Sequence, residues 1–305
     1  MQTLRVLVTG ASGFVGSRVA RRLAEKGMTV TALLRRPGQH VGLDHPQIQQ
    51  LQGEFQRPAD AASACAERDA VVHCAATVGR DLDDARQVNA EGTAVVAAAA
   101  RAAGCRRFVH ISTLAVLAVD RSDAVLDEDS PLKTSGDNYG LTKAEAEQRL
   151  REEMERGLPA VILRPGAILG AHPTSTWATK VPQAIRAGKM PLRDDGRDRL
   201  PWVHVEDLLD AVELALARPE AVGRTYHLAD GHWEWREYVE AVRGWFTDAL
   251  PAPVIPRSEL KQPGQYFTGT YLAERIREEL GYQPRRTWAE GMAEGAAGFA
   301  RETRR

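Results

Sequence analysis

The residues with the clearest capacity for chemistry are Tyr139 and Lys143, in the stretch "NYGLTKAEAEQ" at residues 138 to 148. Four apart on a helix, they share one face and can enter one site. A phenol, with a pKa near 10, is a poor proton donor or acceptor at neutral pH. An ammonium about 4 Å away, at an effective dielectric near 20, is worth roughly 4 kcal/mol. That would bring the phenol down by about 3 in pKa and suit it to general acid/base work. Taken alone, the spacing better describes a core aromatic followed by a surface lysine. Its position favours the first reading, because one segment earlier the chain reads "HISTLAV" and brings Ser112 and Thr113 to a strand end. In open α/β sheets the carboxyl ends of strands face the ligand crevice.

A second group lies near the N-terminus. "VLVTGASGFVGSRVARRL" sets Gly10, Gly13 and Gly16 between an apolar run and an amphipathic helical pattern. Gly10 permits a tight turn, Gly13 a close approach of backbone to a pyrophosphate, and Gly16 close packing of helix on strand. The helix start, from Ser12 through Phe14 and Val15, offers N–H donors to phosphate. This strand-turn-helix context predicts dinucleotide binding. About 20 residues on, where a carboxylate would hold a ribose 2′-hydroxyl, the chain has Leu34 followed by Arg35 and Arg36. A guanidinium binds a 2′-phosphate and a carboxylate repels it, so NADP is expected over NAD.

Elements must exist to hold these residues. Apolar runs at 5–10, 29–34, 48–53, 70–75, 107–112 and 160–165 alternate with helical patterns at about 14–26, 59–67, 83–103 and 138–156. That alternation predicts an α/β fold, a Rossmann-type doubly wound parallel sheet. After Pro165 the pattern loosens into Gly- and Pro-rich loops and short helices, and all six tryptophans fall there. The expected division is an NADP-binding domain over 1–165, with about 200–230 returning to it. A smaller, irregular α/β substrate-binding region then covers 166–199 and 231–305. The tryptophans could wall a pocket or pack the two regions together.

The 305 residues carry a net charge of −1 with both signs interspersed, which offers no basic face for nucleic acid or an anionic membrane. A small-molecule partner is the expectation. Cys65, Cys74 and Cys105 are an odd number and far apart in sequence, which fits reduced thiols in a cytoplasm. The start of the chain shows no export signal and no stretch is apolar enough to span a membrane, so a cytoplasmic protein is expected. No metal site is expected: His204, Glu206 and Asp207 could be ligands but read better as a helix entry. Cys74 lacks an adjacent base and reads as a small apolar residue. Asn89, mid-helix, either supports backbone near the site or sits on the surface.

With the glycine turn, "HISTLAV" and "YGLTK" in order, the chain resembles extended short-chain dehydrogenases/reductases of the NAD-dependent epimerase/dehydratase type. "AVVHCAA", "LRPGAILG" and "WVHVEDLLDAV" extend the likeness over nearly the whole length. The resemblance implies that Tyr139 is the acid/base, that Lys143 binds ribose and supports it, and that Thr113, with Ser112 beside it, orients the substrate oxygen. It further implies cofactor contacts at Glu54 and Phe55 near adenine, at Ala75 and Ala76, and from Pro165 to Ile168 near nicotinamide. Relatives often form homodimers through the helices at about 83–103 and 138–156. Sugar-nucleotide enzymes of the family commonly have Asn where this chain has Ala167, and Arg199 stands one place earlier than their usual arginine. The expected function is therefore an NADPH-dependent reductase of a carbonyl on a small to medium apolar or aromatic substrate. The alternatives are a nucleotide-sugar epimerase/dehydratase and a non-catalytic NADP-sensing regulator.

Overall fold

Short runs of Val, Ile, Leu and Ala can be buried along their whole length only if helices cover both faces of a parallel sheet. The computed structural model of the chain, which describes residues 3–119, 123–259 and 269–302, has that arrangement. Strands β1 (Arg5–Thr9), β2 (Thr29–Leu34), β3 (Ile48–Gln52), β4 (Ala70–His73) and β5 (Arg107–Ile111) form one sheet with two later strands. After a two-residue β6 (Val125–Leu126), those two are β7 (Ala160–Pro165) and, beyond β8 (Ala167–Leu169), β9 (Leu192–Arg193) and β10 (Arg199–His204), β11 (Thr225–Leu228). The order is β11-β7-β5-β4-β1-β2-β3, with every pairing parallel. The chain starts in the middle, winds out to β3 and returns to β4. A crevice therefore opens above β1 and β4, where the winding reverses.

Alternation along β1 fills both layers of the core. Val6 and Val8 pack with Val19 and Leu23 of α1 (Phe14–Glu25) and with residues 205–217 on one face. Leu7 turns to the other face, toward α2 (Pro58–Cys65). There α3 (Leu82–Arg86) runs through a π-helical turn at Gln87–Glu91 into α4 (Gly92–Ala102), beside α5 (Asn138–Glu155). The helical pattern expected over 83–103 is thus three pieces. β11 is a seventh strand beyond the six apolar runs, in the 200–230 stretch.

The rest of the chain adds α6 (Val181–Arg186), α7 (Val205–Ala217), β12 (Gly231–Glu234), α8 (Trp235–Arg243), β13 (Val254–Ile255), β14 (Thr270–Tyr271), α9 (Glu274–Leu280) and α10 (Trp288–Glu302). β12, β10 and β8 form a small sheet. On it Trp202, Trp233, Trp235 and Tyr238 build a separate apolar cluster, with Trp177, Trp245 and Trp288 packed against it. Of the substrate-binding region expected over 166–199 and 231–305, residues 260–268 and 303–305 lie outside the described residues, as do Met1 and Gln2 of the N-terminal segment. No helix among the described residues is long and apolar enough to cross a membrane.

Candidate functional site

The site begins where β1 turns into α1. Gly10 holds φ at +69°, and a Cβ there would lie 2.6 Å from the Ala75 backbone nitrogen, so conformation and space both require glycine. A Cβ on Gly16 would overlap the Gly10 carbonyl oxygen. The turn is closed by the Gly13 N–H donating to that carbonyl at 3.0 Å. Above it opens a cleft of about 800 Å³. Gly10, Gly13, Phe14, Val15 and Gly16 line it from the turn, Cys74 and Ala76 from the end of β4, and Ser112 and Thr113 from the end of β5. Tyr139 lines it from the start of α5, and Pro165 to Ile168 from the end of β7.

Two local features set Tyr139. The Asp137 carboxylate caps α5, accepting the Gly140 N–H at 2.7 Å through Oδ1 and pairing with the Lys133 ammonium at 2.9 Å through Oδ2. Gly140 lets this first turn press onto the loop after β5, where a Cβ would come 2.5 Å from the Ala115 carbonyl oxygen. Tyr139 is thereby brought to Thr113, whose hydroxyl accepts the Ala115 N–H at 3.2 Å. Burial pushes the Tyr139 phenol up to about 12; the Asp137 carboxylate adds to the rise, and hydrogen bonding with Thr113 opposes it.

The expected lowering of this phenol by Lys143 therefore gives way to a rise, because the ammonium is engaged elsewhere. Buried behind the cleft, Lys143 donates to the Ile111 carbonyl at 2.8 Å and lies 3.1 Å from His110 Nε2. Its own burial brings it down to about 8, against the opposing pull of Glu147 and Cys74. Ser112 is turned inward as well: its hydroxyl donates to Glu147 Oε1 at 2.6 Å. The same carboxylate accepts from Arg164 Nε at 2.9 Å and Nη2 at 2.7 Å.

A second cavity, of about 430 Å³, lies at the ends of β2 and β3 and is lined by Ser12, Leu34, Arg35, Arg36, His40 and Glu54. Both arginines are exposed, and Glu54 pairs with Arg57 at 3.2 Å. Three expected cofactor contacts lie outside both linings. Ala75 backs Gly10, Lys143 sits beneath the strand end, and Phe55 packs edge-on to His73 with ring centres 5.6 Å apart.

The open readings also resolve. Asn89 is fully buried and clamps the backbone of a cleft-lining residue: its Oδ1 accepts the Thr77 N–H and its Nδ2 donates to the Thr77 carbonyl, both at 2.8 Å. His204 caps α7 by accepting the Glu206 N–H at 3.2 Å, while Asp207 accepts the N–H groups of Arg285 and Arg286. Helix entry is thus what the His204 contacts show. Among the described residues no group of three or more His, Cys, Asp or Glu could hold a metal ion. Burial pushes the Cys74 thiol up to about 12, away from nucleophilic use. Of the tryptophans only Trp177 lines the cleft, together with Val78, Leu117, Val119, Lys180 and Tyr271.

Sequence reasoning missed Glu147, Arg164 and His110. Glu147 had a signal, since it follows Lys143 by four and shares its helix face. Arg164 had another, a charge inside an apolar strand that burial obliges to find a partner.

The family model described as "NAD dependent epimerase/dehydratase family" matches residues 6–229. A 4-hydroxy-2-methyl-3-oxo-4-farnesyl-3,4-dihydroquinoline-1-oxide ketoreductase from Stigmatella aurantiaca is 33% identical, over 75% of this chain and 69% of its own. A 3-diazoavenalumate denitrifying reductase from a Streptomyces species is 31% identical, over 95% of this chain and 99% of its own. Among solved structures, the dTDP-glucose 4,6-dehydratase DesIV from Streptomyces venezuelae, with NAD and TYD bound, is similar at a TM-score of 0.81 and 25% identity, over 99% of this chain and 98% of that one.

Proposed function

The chain belongs to the NAD-dependent epimerase/dehydratase family, a group of NAD(P)-dependent enzymes of the short-chain dehydrogenase/reductase type, and on that premise we propose that it is an NADPH-dependent carbonyl reductase. The observation that carries this reading is the placement of the Tyr139 phenol beside the Thr113 hydroxyl in the cleft that opens above the glycine turn. Gly10 and Gly16 let the turn pack closely on the end of β4 and on itself, as a dinucleotide-binding turn does, with Ser12 to Val15 at the pyrophosphate. Arg35 and Arg36 would take a 2′-phosphate, with Glu54 and Phe55 toward adenine, Ala75 and Ala76 along the cofactor, and Pro165 to Ile168 at the nicotinamide. NADPH bound there supplies a hydride for the carbonyl carbon. Thr113 donates a hydrogen bond that orients the carbonyl oxygen, and Tyr139 gives that oxygen its phenolic proton, completing the alcohol. Lys143, seated by His110 and the Ile111 carbonyl, holds the ribose.

Val78, Leu117, Val119, Trp177 and Tyr271 give the far end of the cleft an apolar and aromatic wall, which suits a small to medium apolar or aromatic ketone or aldehyde. The reading includes a homodimer in the cytoplasm. The likeness to the dehydratase from Streptomyces venezuelae favours one alternative, a nucleotide-sugar epimerase or dehydratase. Ala167 in the cleft wall and Arg199, which donates to Thr270 at 2.8 Å, depart from that class.

The test follows NADPH absorbance against a panel of ketones and aldehydes, with UDP- and dTDP-sugars assayed separately for epimer and dehydration products. Reduction of carbonyls with NADPH preferred to NADH is expected, and Arg35→Asp should narrow that preference at least tenfold. Turnover of sugar nucleotides alone would remove the reductase reading. Equal use of both cofactors, unchanged in Arg35→Asp, would remove NADP.

A further inference from the structure

Behind Tyr139 lies a buried row of basic side chains that the proposed reaction leaves without a role. β4 and β5 run side by side with His73 opposite His110, and the two rings stack at 5.4 Å and 17°. Both are fully buried, and their partners define their tautomers. The Thr93 hydroxyl donates to the Asn89 carbonyl at 2.6 Å, so it must accept from His73 Nε2, 3.1 Å away. His73 Nδ1 then accepts from the Thr9 hydroxyl at 2.7 Å. An ammonium only donates, so His110 Nε2 accepts from Lys143 at 3.1 Å and its proton resides on Nδ1. Lys143 gives a second hydrogen to the Ile111 carbonyl at 2.8 Å.

We propose that His110 is a positioning residue for this enzyme: its Nε2, together with the Ile111 carbonyl, seats the Lys143 ammonium at the end of β5 and leaves one N–H directed to the cofactor ribose. The proposal rests on the ribose-binding reading of Lys143. A buried ammonium is costly unless hydrogen-bonded, and few groups face this one. Cys74 approaches from the end of β4 and Glu147 from α5, the latter already shared by Arg164 and Ser112. His73 stacks behind His110 and is held neutral by burial, down to about 3. His110 is therefore the side chain that accepts a hydrogen bond directly from this ammonium, beside the backbone carbonyl of Ile111. Without it the charged form is less favoured, and Lys143 loses its proton at lower pH.

The experiment measures NADPH affinity of the full-length protein by cofactor fluorescence from pH 6 to 10, without substrate. Wild type should bind steadily and then weaken as the pH passes about 8, the range of Lys143; Lys143→Met should be weak and flat. His110→Phe, which keeps a ring but no acceptor, should move the transition down by about one pH unit and weaken binding several-fold at pH 7.5. His110→Gln, whose Oε1 can replace Nε2, should restore the transition. His110→Leu replaces the Phe variant if thermal melting shows that one unfolded. A transition in His110→Phe or His110→Leu that superimposes on wild type would overturn the proposal while leaving the reductase reading intact. A wild type that binds no nicotinamide cofactor would overturn both.

Discussion

At the scale of single residues, local bonds decide what Tyr139 can do. Lys143 does not lower its pKa in this structure; burial and the Asp137 carboxylate raise it to about 12. A phenol in that condition is a donor throughout the neutral range, which suits the reducing direction. Tyr139→Phe keeps the ring and the packing and removes the proton. Turnover should fall by roughly 10² to 10⁴, the usual contribution of general acid/base catalysis, while NADPH affinity stays within about twofold. Single-turnover kinetics and a binding titration on the same preparation check both halves, and undiminished turnover would return "NYGLTK" to a plain helix start. Tyr139, Thr113 and the glycines were legible because their chemistry demands particular residue types at short, fixed spacings. The partners of Lys143 were not, since His110 lies 33 positions earlier and only the sheet brings the two together.

At the scale of elements, the site hangs on how α5 meets the strand ends. Its N-cap and Gly140 fix where it starts, and one helical turn beyond Lys143, Glu147 fixes how deep it sits. Arg164 on β7 and Glu147 are both essentially fully buried, and their pair joins helix, strand and the Ser112 hydroxyl. Removing one partner from a buried pair leaves a charge without compensation, which costs about 3–5 kcal/mol. Glu147→Gln should therefore lower the unfolding free energy by about that much in urea titrations, whereas the double variant Glu147→Met with Arg164→Met should recover most of it. A loss in Glu147→Gln below about 1 kcal/mol would show that the pair holds nothing together. The helix boundaries were readable from caps and periodicity to within a residue or two. The π-helical turn that buries Asn89 was not, because its register is set by the Thr77 loop that Asn89 clamps.

At the scale of the whole molecule, the sheet buries titratable groups that an unfolded chain would expose. Burial holds His73 and His227 down to about 3 and His172 to about 4, with His110 well below its usual value. Each is depressed in the folded state, so its contribution to stability is present above about pH 6.5 and lost as acidification goes on toward the folded value. Asp230 works in the opposite sense: burial raises it to about 7, so the folded chain takes up a proton there before the unfolded one does. For these five groups the balance near pH 5 is a net preference of the unfolded chain for about three protons, or roughly 4 kcal/mol per pH unit. Urea midpoints should accordingly fall steeply between pH 6 and 5 and change little between pH 7 and 8. A level profile from pH 7 to 5 would mean that these histidines take up protons without unfolding.

By itself the sequence determined the doubly wound sheet, the glycine turn and the order of Thr113, Tyr139 and Lys143, because hydrophobic period and backbone conformation are properties of neighbouring residues. The tertiary structure decided which way Lys143 turns, that Ser112 and Glu147 bond inward with Arg164, and that the six tryptophans gather in a second core from which Trp177 also lines the cleft. Those outcomes depend on which distant groups must satisfy one another once water is excluded, and burial assigns such partners only when the strands are side by side.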